Sequence, residues 1–190
     1  QGHGMKRIKL KYIVNTFFAL VAVVLIAFIL LFQRNIRTAA SVKRLEDGLY
    51  FMEYKGDYNL DGFLEQGGAS DDLAVAEFVI QDVFYGLLPI DLRGGSFGCS
   101  TISARTAEGD AVFGRNFDWG TCTALIVQTD PAEGYDSVST VNMDFLNLGL
   151  HMPEETQMRL LAVAAPFAPM DGMNEKGLCV AVLMIQDSPG

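Results

Sequence analysis

The stretch from Tyr12 to Phe32, YIVNTFFALVAVVLIAFILLF, limits what this chain can become more than any other. Only Asn15 and Thr16 interrupt it, and about 21 residues at ~1.5 Å rise per residue reach across the ~30 Å hydrocarbon core of a bilayer. The stretch reads as a membrane-spanning helix. A signal peptide is the alternative. Against it, the run is long, Arg34 and Arg37 follow it directly, and Thr38-Ala39-Ala40 is a mediocre cleavage site, so an uncleaved anchor is expected. Lys6, Arg7, Lys9 and Lys11 on one side nearly balance Arg34, Arg37, Lys43 and Arg44 on the other, so loop charge alone does not orient it. A very short basic tail ordinarily stays in the cytoplasm, which makes the expected arrangement single-pass with everything after Arg37 outside.

Gln1 to Gly4 read as the remnant of a cleaved tag, with Met5 as the native start and His151 as the one native histidine. A lone histidine without Cys, Asp or Glu at ligand spacing reads as an ordinary surface or turn residue, so no metal and no cofactor is expected. The formal net charge of −9 arises from 23 acidic against 14 basic residues, and every acidic one lies at or beyond Glu46. A domain so charged, its few cations scattered and not interleaved with aromatics, is not expected to bind nucleic acid. Roughly 145 residues beyond the anchor suffice for one domain with a core of its own.

Leu49 to Tyr54 is aromatic-rich and runs into Lys55-Gly56-Asp57, the pattern of a strand entering a turn. After Gln66-Gly67-Gly68-Ala69, Ser70 is a fitting N-cap and Asp71 and Asp72 suit the positive end of a helix dipole. The apolar residues Val75, Val79 and Val83, with Ala76, Ile80 and Phe84, then predict a helix with one broad buried face, stopping towards Pro89. From Cys99 the texture turns to short β-like segments: Cys99 to Arg105, Ala111 to Asn116, Ala124 to Thr129, Tyr135 to Val141, Arg159 to Ala165 and Leu178 to Ile185. Consecutive hairpins predict mostly antiparallel sheet, and the apolar run from Leu178 predicts a strand covered on both faces. The expected class is α+β, with the region before Gly98 a separate, mainly helical segment.

Cys99 opens a predicted strand after Gly94-Gly95-Ser96-Phe97-Gly98, a stretch that leaves the Gly98 carbonyl open to attack. Were the peptide bond before Cys99 broken, the thiol would acquire its own α-amine, whose reference pKa near ~8 fits it to serve as the activating base. Such a nucleophile needs no histidine. A hairpin of Cys99–Arg105 with Ala111–Asn116 would return Arg115 and Asp118 to the neighbourhood of Cys99. There a fixed positive charge favours thiolate, and a carboxylate can orient the terminal amine.

Three blocks carry a resemblance: Cys99-Ser100, then Gly114-Arg115-Asn116-Phe117-Asp118-Trp119, then Asn174-Glu175-Lys176-Gly177-Leu178. In this order they resemble the N-terminal nucleophile hydrolases of the choloylglycine hydrolase and acid-ceramidase-like group, the linear amide C–N hydrolases. The resemblance implies an αββα sandwich, Cys99 as nucleophile, Arg115 and Asp118 in support, and Asn174 in the oxyanion hole. With 98 residues ahead of Cys99, it resembles the members whose internal cysteine is released by self-cleavage, through an N-to-S acyl shift at the Gly98 carbonyl. Family domains usually run on and supply a further asparagine and arginine, so the sandwich is expected to be incomplete in this chain. The expected organisation is a tag remnant at 1–4, an anchor at 5–37, a helical pro-segment or light chain at 38–98, and the N-terminal part of the hydrolase domain at 99–190.

Cys122 and Cys179 read as small buried hydrophobes, with a disulfide between them as the alternative outside the cell. Trp119, Phe117, Phe145 and the loop Pro166–Met170 are candidates for an apolar substrate pocket, although such residues also build cores. The leading functional expectation is hydrolysis of a linear, non-peptide amide by thiolate attack and an acyl-enzyme thioester. The resemblance allows conjugated bile acids, penicillin V, N-acylated amino acids and fatty-acid amides as small-molecule substrates. Two other readings stand beside it: a membrane-tethered binding domain without turnover, and a protein whose one reaction is its own cleavage.

Overall fold

The computed structural model describes residues 2–87, 91–92, 98–148 and 151–183. It falls into two compact units, residues 1–36 and 37–190. In chain order the elements are α1 (Gly2–Leu31), α2 (Gln33–Ser41), β1 (Lys43–Glu46), β2 (Leu49–Tyr54), α3 (Leu60–Glu65), α4 (Asp72–Phe84), β3 (Asp91–Leu92), β4 (Gly98–Arg105) and β5 (Ala111–Asp118). There follow β6 (Ala124–Thr129), β7 (Ser137–Asn142), β8 (Leu146–Asn147), α5 (Glu154–Leu161), β9 (Asp171–Asn174) and β10 (Cys179–Ala181). The described residues are thus mixed α and β.

The first unit is dominated by α1. Its segment Lys11–Leu31 has a mean hydropathy of 2.8 and no buried share, and by length and composition it is long and apolar enough to cross a membrane. The helical ladder continues past Leu31, since the amide of Phe32 donates to the Phe28 carbonyl and that of Ile36 to the Phe32 carbonyl.

The second unit is built on a six-stranded sheet in the order β1-β2-β6-β7-β9-β10. Every pairing is antiparallel except β2 with β6, which run parallel from Leu49↔Ala124 to Tyr54↔Thr129. Alternation sets the two faces. Tyr50, Met52 and Tyr54 on β2, Leu125 and Val127 on β6 and Val141 on β7 turn to one side, where Met158, Leu161 and Ala162 of α5 and its exit close the core. Thr140 and Asp171, paired across β7 and β9, lie on the opposite face. Outside this sheet, β4 and β5 form a separate two-stranded hairpin and β3 pairs with β8.

Four expectations need correction. The region before Gly98 is mainly helical but not separate, because β1 and β2 both enter the sheet and β2 lies inside it, between β1 and β6. Helix α4 is capped by Asp71, whose Oδ1 accepts from the Ala74 amide at 2.9 Å, while Ser70 only donates to the Asp71 carboxylate. It ends at Tyr85 and Gly86, both left-handed (φ 52° and 71°), with the Gly86 amide on the Ile80 carbonyl, a glycine-type C-cap well ahead of Pro89.

Arg159 to Ala165 is not a strand. Glu154 and Glu155 follow Pro153 at the start of α5, Arg159 sits in its last turn on Glu155 at 3.1 Å, and Met158 and Leu161 face the core, so dipole, ion pair and apolar spacing all favour helix. The apolar run from Leu178 forms only the edge strand β10. Val180 is 58% exposed there, so it is not covered on both faces; residues 184 and 185 of that run lie outside the described residues, as do Pro89 and Gly94 to Phe97.

Leu125 is fully buried at the centre of this core. Leu125→Ala should therefore lower unfolding stability by about 2–5 kcal/mol, the range for a buried leucine truncated without collapse of the cavity. Urea denaturation of the detergent-solubilised protein would check it, and a change under ~1 kcal/mol would place the core elsewhere.

Candidate active site

The hairpin β4–β5 pairs Gly98 with Asp118, Cys99 with Phe117 and Thr101 with Arg115. Thr106, Gly109 and Asp110 close it through the bonds Thr106 N to Asp110 O and Gly109 N to Thr106 O, with Gly109 in the left-handed region at φ 97°. Residues directly opposite in an antiparallel ladder share a face, so Cys99, Thr101, Arg115 and Phe117 point the same way and Gly98 and Asp118 the other.

On the shared face, Arg115 Nη2 donates to Cys99 Sγ at 3.1 Å and to the Val182 carbonyl at 2.8 Å. Its Nη1 donates to Asp171 Oδ2 at 3.3 Å, and the other carboxylate oxygen, Oδ1, accepts from Thr140 Oγ1 at 2.6 Å. The guanidinium carbon lies 4.8 Å from the Phe117 ring centroid. Only 5% of the Arg115 side chain is exposed, against 20% for Asp171. A guanidinium is always charged and is costly to bury alone, so the carboxylate beside it is what makes its position tenable. One N–H of that fixed cation is left facing sulfur.

Asp118 stands beside the backbone rather than the thiol. A β-carbon added at Gly98 would lie 3.3 Å from Asp118 Oδ2, so the carboxylate occupies the space that the missing side chain leaves free. Asn116 Nδ2 donates to Asp118 Oδ1 at 2.8 Å and fixes it there. This places a carboxylate next to the residue that precedes the Cys99 nitrogen. Among the described residues no side-chain hydrogen bond joins Asp118 to Cys99 Sγ.

Asn174 ends β9. Its Oδ1 accepts from the amides of Lys176 and Leu178, both at 3.0 Å, and so holds the turn into β10. It lies three positions beyond Asp171, about 10 Å of extended strand at ~3.3 Å per residue. Its oxygen is therefore spent on the turn, and Nδ2 is the group left to donate elsewhere.

Between the hairpin and the sheet lies a cavity of about 350 Å³, lined by Phe113, Arg115, Phe117, Cys122, Asn142, Met170 and Asp171 among others. Phe117, Trp119 and Phe145 form one aromatic cluster at its flank, with Trp119 and Phe145 centroids 4.8 Å apart. Phe167 belongs elsewhere, packing edge-on to Tyr54 and Tyr58. All three cysteines are free, and Cys122 is exposed rather than a buried hydrophobe. Among the described residues no group of three or more His, Cys, Asp or Glu is placed to hold a metal ion.

Sequence reasoning missed Asp171, Thr140 and Asn142. Asn142 is 3% exposed, and among the described residues its Nδ2, beside the same cavity, is buried without a hydrogen-bond partner. Asp171-Gly172 lies immediately ahead of the Asn174 block, which was the one signal available for the first of them.

Partial desolvation, then the Asp144 carboxylate, push the Cys122 thiol above its ordinary value, against a smaller opposing pull from Arg115. Less thiolate is then present at any given pH. Alkylation of Cys122 should rise only at a more alkaline pH than in an unfolded control, as followed by peptide mass. A rise at the same pH as the control would contradict this electrostatic account.

Residues 99–188 match the family model of the linear amide C–N hydrolases, choloylglycine hydrolase family. The match begins at Cys99 and takes in Arg115, Asp118, Asp171 and Asn174. No curated protein and no solved structure matches the chain.

Proposed function

Taking residues 99–188 as those of a linear amide C–N hydrolase of the choloylglycine hydrolase family, we propose that the chain is a membrane-anchored, self-processing cysteine hydrolase of small-molecule amides. The contact of Arg115 Nη2 with Cys99 Sγ at 3.1 Å, inside the matched segment, is the observation that carries this reading. In processing, the Cys99 thiol attacks the Gly98 carbonyl, the acyl group passes from nitrogen to sulfur, and water cleaves the thioester to leave a Gly98 carboxylate and a free Cys99 α-amine. In turnover that amine takes the thiol proton, the thiolate attacks the substrate carbonyl, and the leaving amine departs with the proton. Water then releases the acid. Arg115 keeps its Nη2 on the sulfur throughout, and Asp118, beside Gly98, orients the new ammonium.

Asn174 Nδ2 is assigned the developing oxyanion, and the aromatic cluster of Phe117, Trp119 and Phe145 an apolar acyl group, of the kind found in bile-acid, phenoxyacyl or fatty-acyl amides. The α1 segment serves as the anchor, with the second unit extracytoplasmic, an arrangement suited to substrates that partition into lipid. The αββα sandwich is the architecture this reading entails, with the hairpin contributing to the second sheet layer.

Cys99→Ala should leave one intact chain and no amidase activity on a panel of N-acyl amides, whereas Cys99→Ser should keep slow cleavage and lose turnover, because an alcohol is far less acidic than a thiol. Intact mass reports the first reaction and product release the second. Cleavage of purified Cys99→Ala between Gly98 and Cys99 would rule out self-processing. Asn174→Ala should slow turnover ~10²–10³-fold if it holds the oxyanion; lowered stability with turnover unchanged would reduce it to the turn residue its oxygen already is.

A chain beginning at Arg37 should no longer need detergent, since the exposed apolar surface of α1 is then gone. Flotation with liposomes checks this, and continued membrane partitioning would show the anchor to be incomplete.

A further inference from the structure

We propose that Asp171 is a positioning residue for Cys99, acting through Arg115 by holding the guanidinium so that one Nη2 hydrogen faces the sulfur. The inference deepens the hydrolase reading and rests on Cys99 being its nucleophile. Asp171 is held at both carboxylate oxygens, Oδ1 by the Thr140 hydroxyl at 2.6 Å and Oδ2 by Arg115 Nη1 at 3.3 Å. Thr140 and Asp171 are direct partners across β7 and β9, so the clamp is set by register. The next residue reinforces it. A β-carbon at Gly172 would meet Ser139 Cβ at 3.1 Å and the Val138 carbonyl at 3.2 Å, so β9 lies too close to β7 for any larger residue to fit without displacement.

Arg115 needs such a clamp. Its side chain is long and, among the described residues, its Nε is buried without a hydrogen-bond partner and its other contacts include a sulfur, the Val182 carbonyl and the Phe117 ring. None of these fixes the plane of the guanidinium as a carboxylate does. The carboxylate has two opposed effects on the thiol. As a negative charge near Cys99 it would disfavour thiolate; as a clamp it keeps the cation in contact with sulfur. Removing it therefore makes Cys99 more reactive if only charge matters and less reactive if position matters.

The test is the rate of Cys99 alkylation by iodoacetamide in the full chain in detergent, followed by peptide mass at one pH. Asp171→Asn should slow it about tenfold, the effect of losing an adjacent cation. Asp171→Glu, which keeps the charge, should recover most of that loss. Thr140→Val, which frees one carboxylate oxygen, should slow it about threefold. In an Arg115→Ala background, Asp171→Asn should add no further slowing, because its effect passes through the arginine. An unchanged or faster rate in Asp171→Asn with an unaltered melting curve overturns the proposal, as does equal slowing without Arg115. If Asp171→Asn fails to fold, Thr140→Val decides, and an unchanged rate there overturns it. Turnover of N-acyl amides by the parent protein is read separately. A parent that turns over none of them, yet whose Cys99 slows in Asp171→Asn, defeats the hydrolase reading and upholds the clamp.

Discussion

The buried guanidinium of Arg115 is the constraint around which the second unit is arranged. It leaves the hairpin, reaches a carboxylate on the sheet 56 residues further along the chain, and donates in passing to the Val182 carbonyl and the Cys99 sulfur. A cation so enclosed demands partners, and a nearly dry ion pair is strongly destabilised if one member is lost. The same enclosure is what gives the charge its effect on sulfur, since less water intervenes to screen it. Structural need and chemical use therefore fall on one group.

This dependence explains why the hairpin can be so exposed. Ile102 and Val112 face away from the sheet and are largely accessible, so the hairpin draws little from burial on that side. Its inner face does the joining, with Phe113, Arg115 and Phe117 turned towards Asn142, Met170 and Asp171 across the intervening cavity. A cavity lined by rings and Met170 together with one cation, one amide and one carboxylate has the composition expected of a small-molecule site, apolar body with few polar groups.

The local features of this site were legible in the sequence because they depend on short-range rules. A turn at Ala107 to Asp110 between two β-like runs fixes the return of Arg115 and Asp118 to Cys99, and the ladder from Gly98↔Asp118 to Arg105↔Ala111 follows from it. Asp171 was not legible, since nothing near it in sequence announces a cation; its partner is brought by packing of the hairpin on the sheet. The helix at Glu154–Leu161 was misread for a different reason. Its Arg-Leu-Leu-Ala-Val-Ala-Ala segment looks strand-like when taken alone, and the helical signal lies in the Pro-Glu-Glu that precedes it. The pairing of β2 beside β6 joins segments some seventy residues apart, and no pattern in Leu49 to Tyr54 names its neighbour.

That parallel pairing bears on what cutting the chain would mean. Strand β2 lies before Gly98 and its neighbour β6 after it, and Tyr50, Met52 and Tyr54 share one core with Leu125, Val127 and Val141. Scission between residues 98 and 99 would leave two polypeptides sharing a single sheet, joined edge to edge at β2 and β6, neither with a complete hydrophobic interior. They would behave as an obligate heterodimer, held by non-covalent forces and subject to mass action on dilution. The piece bearing Cys99 would then be retained by the piece bearing α1 without any covalent bond between them.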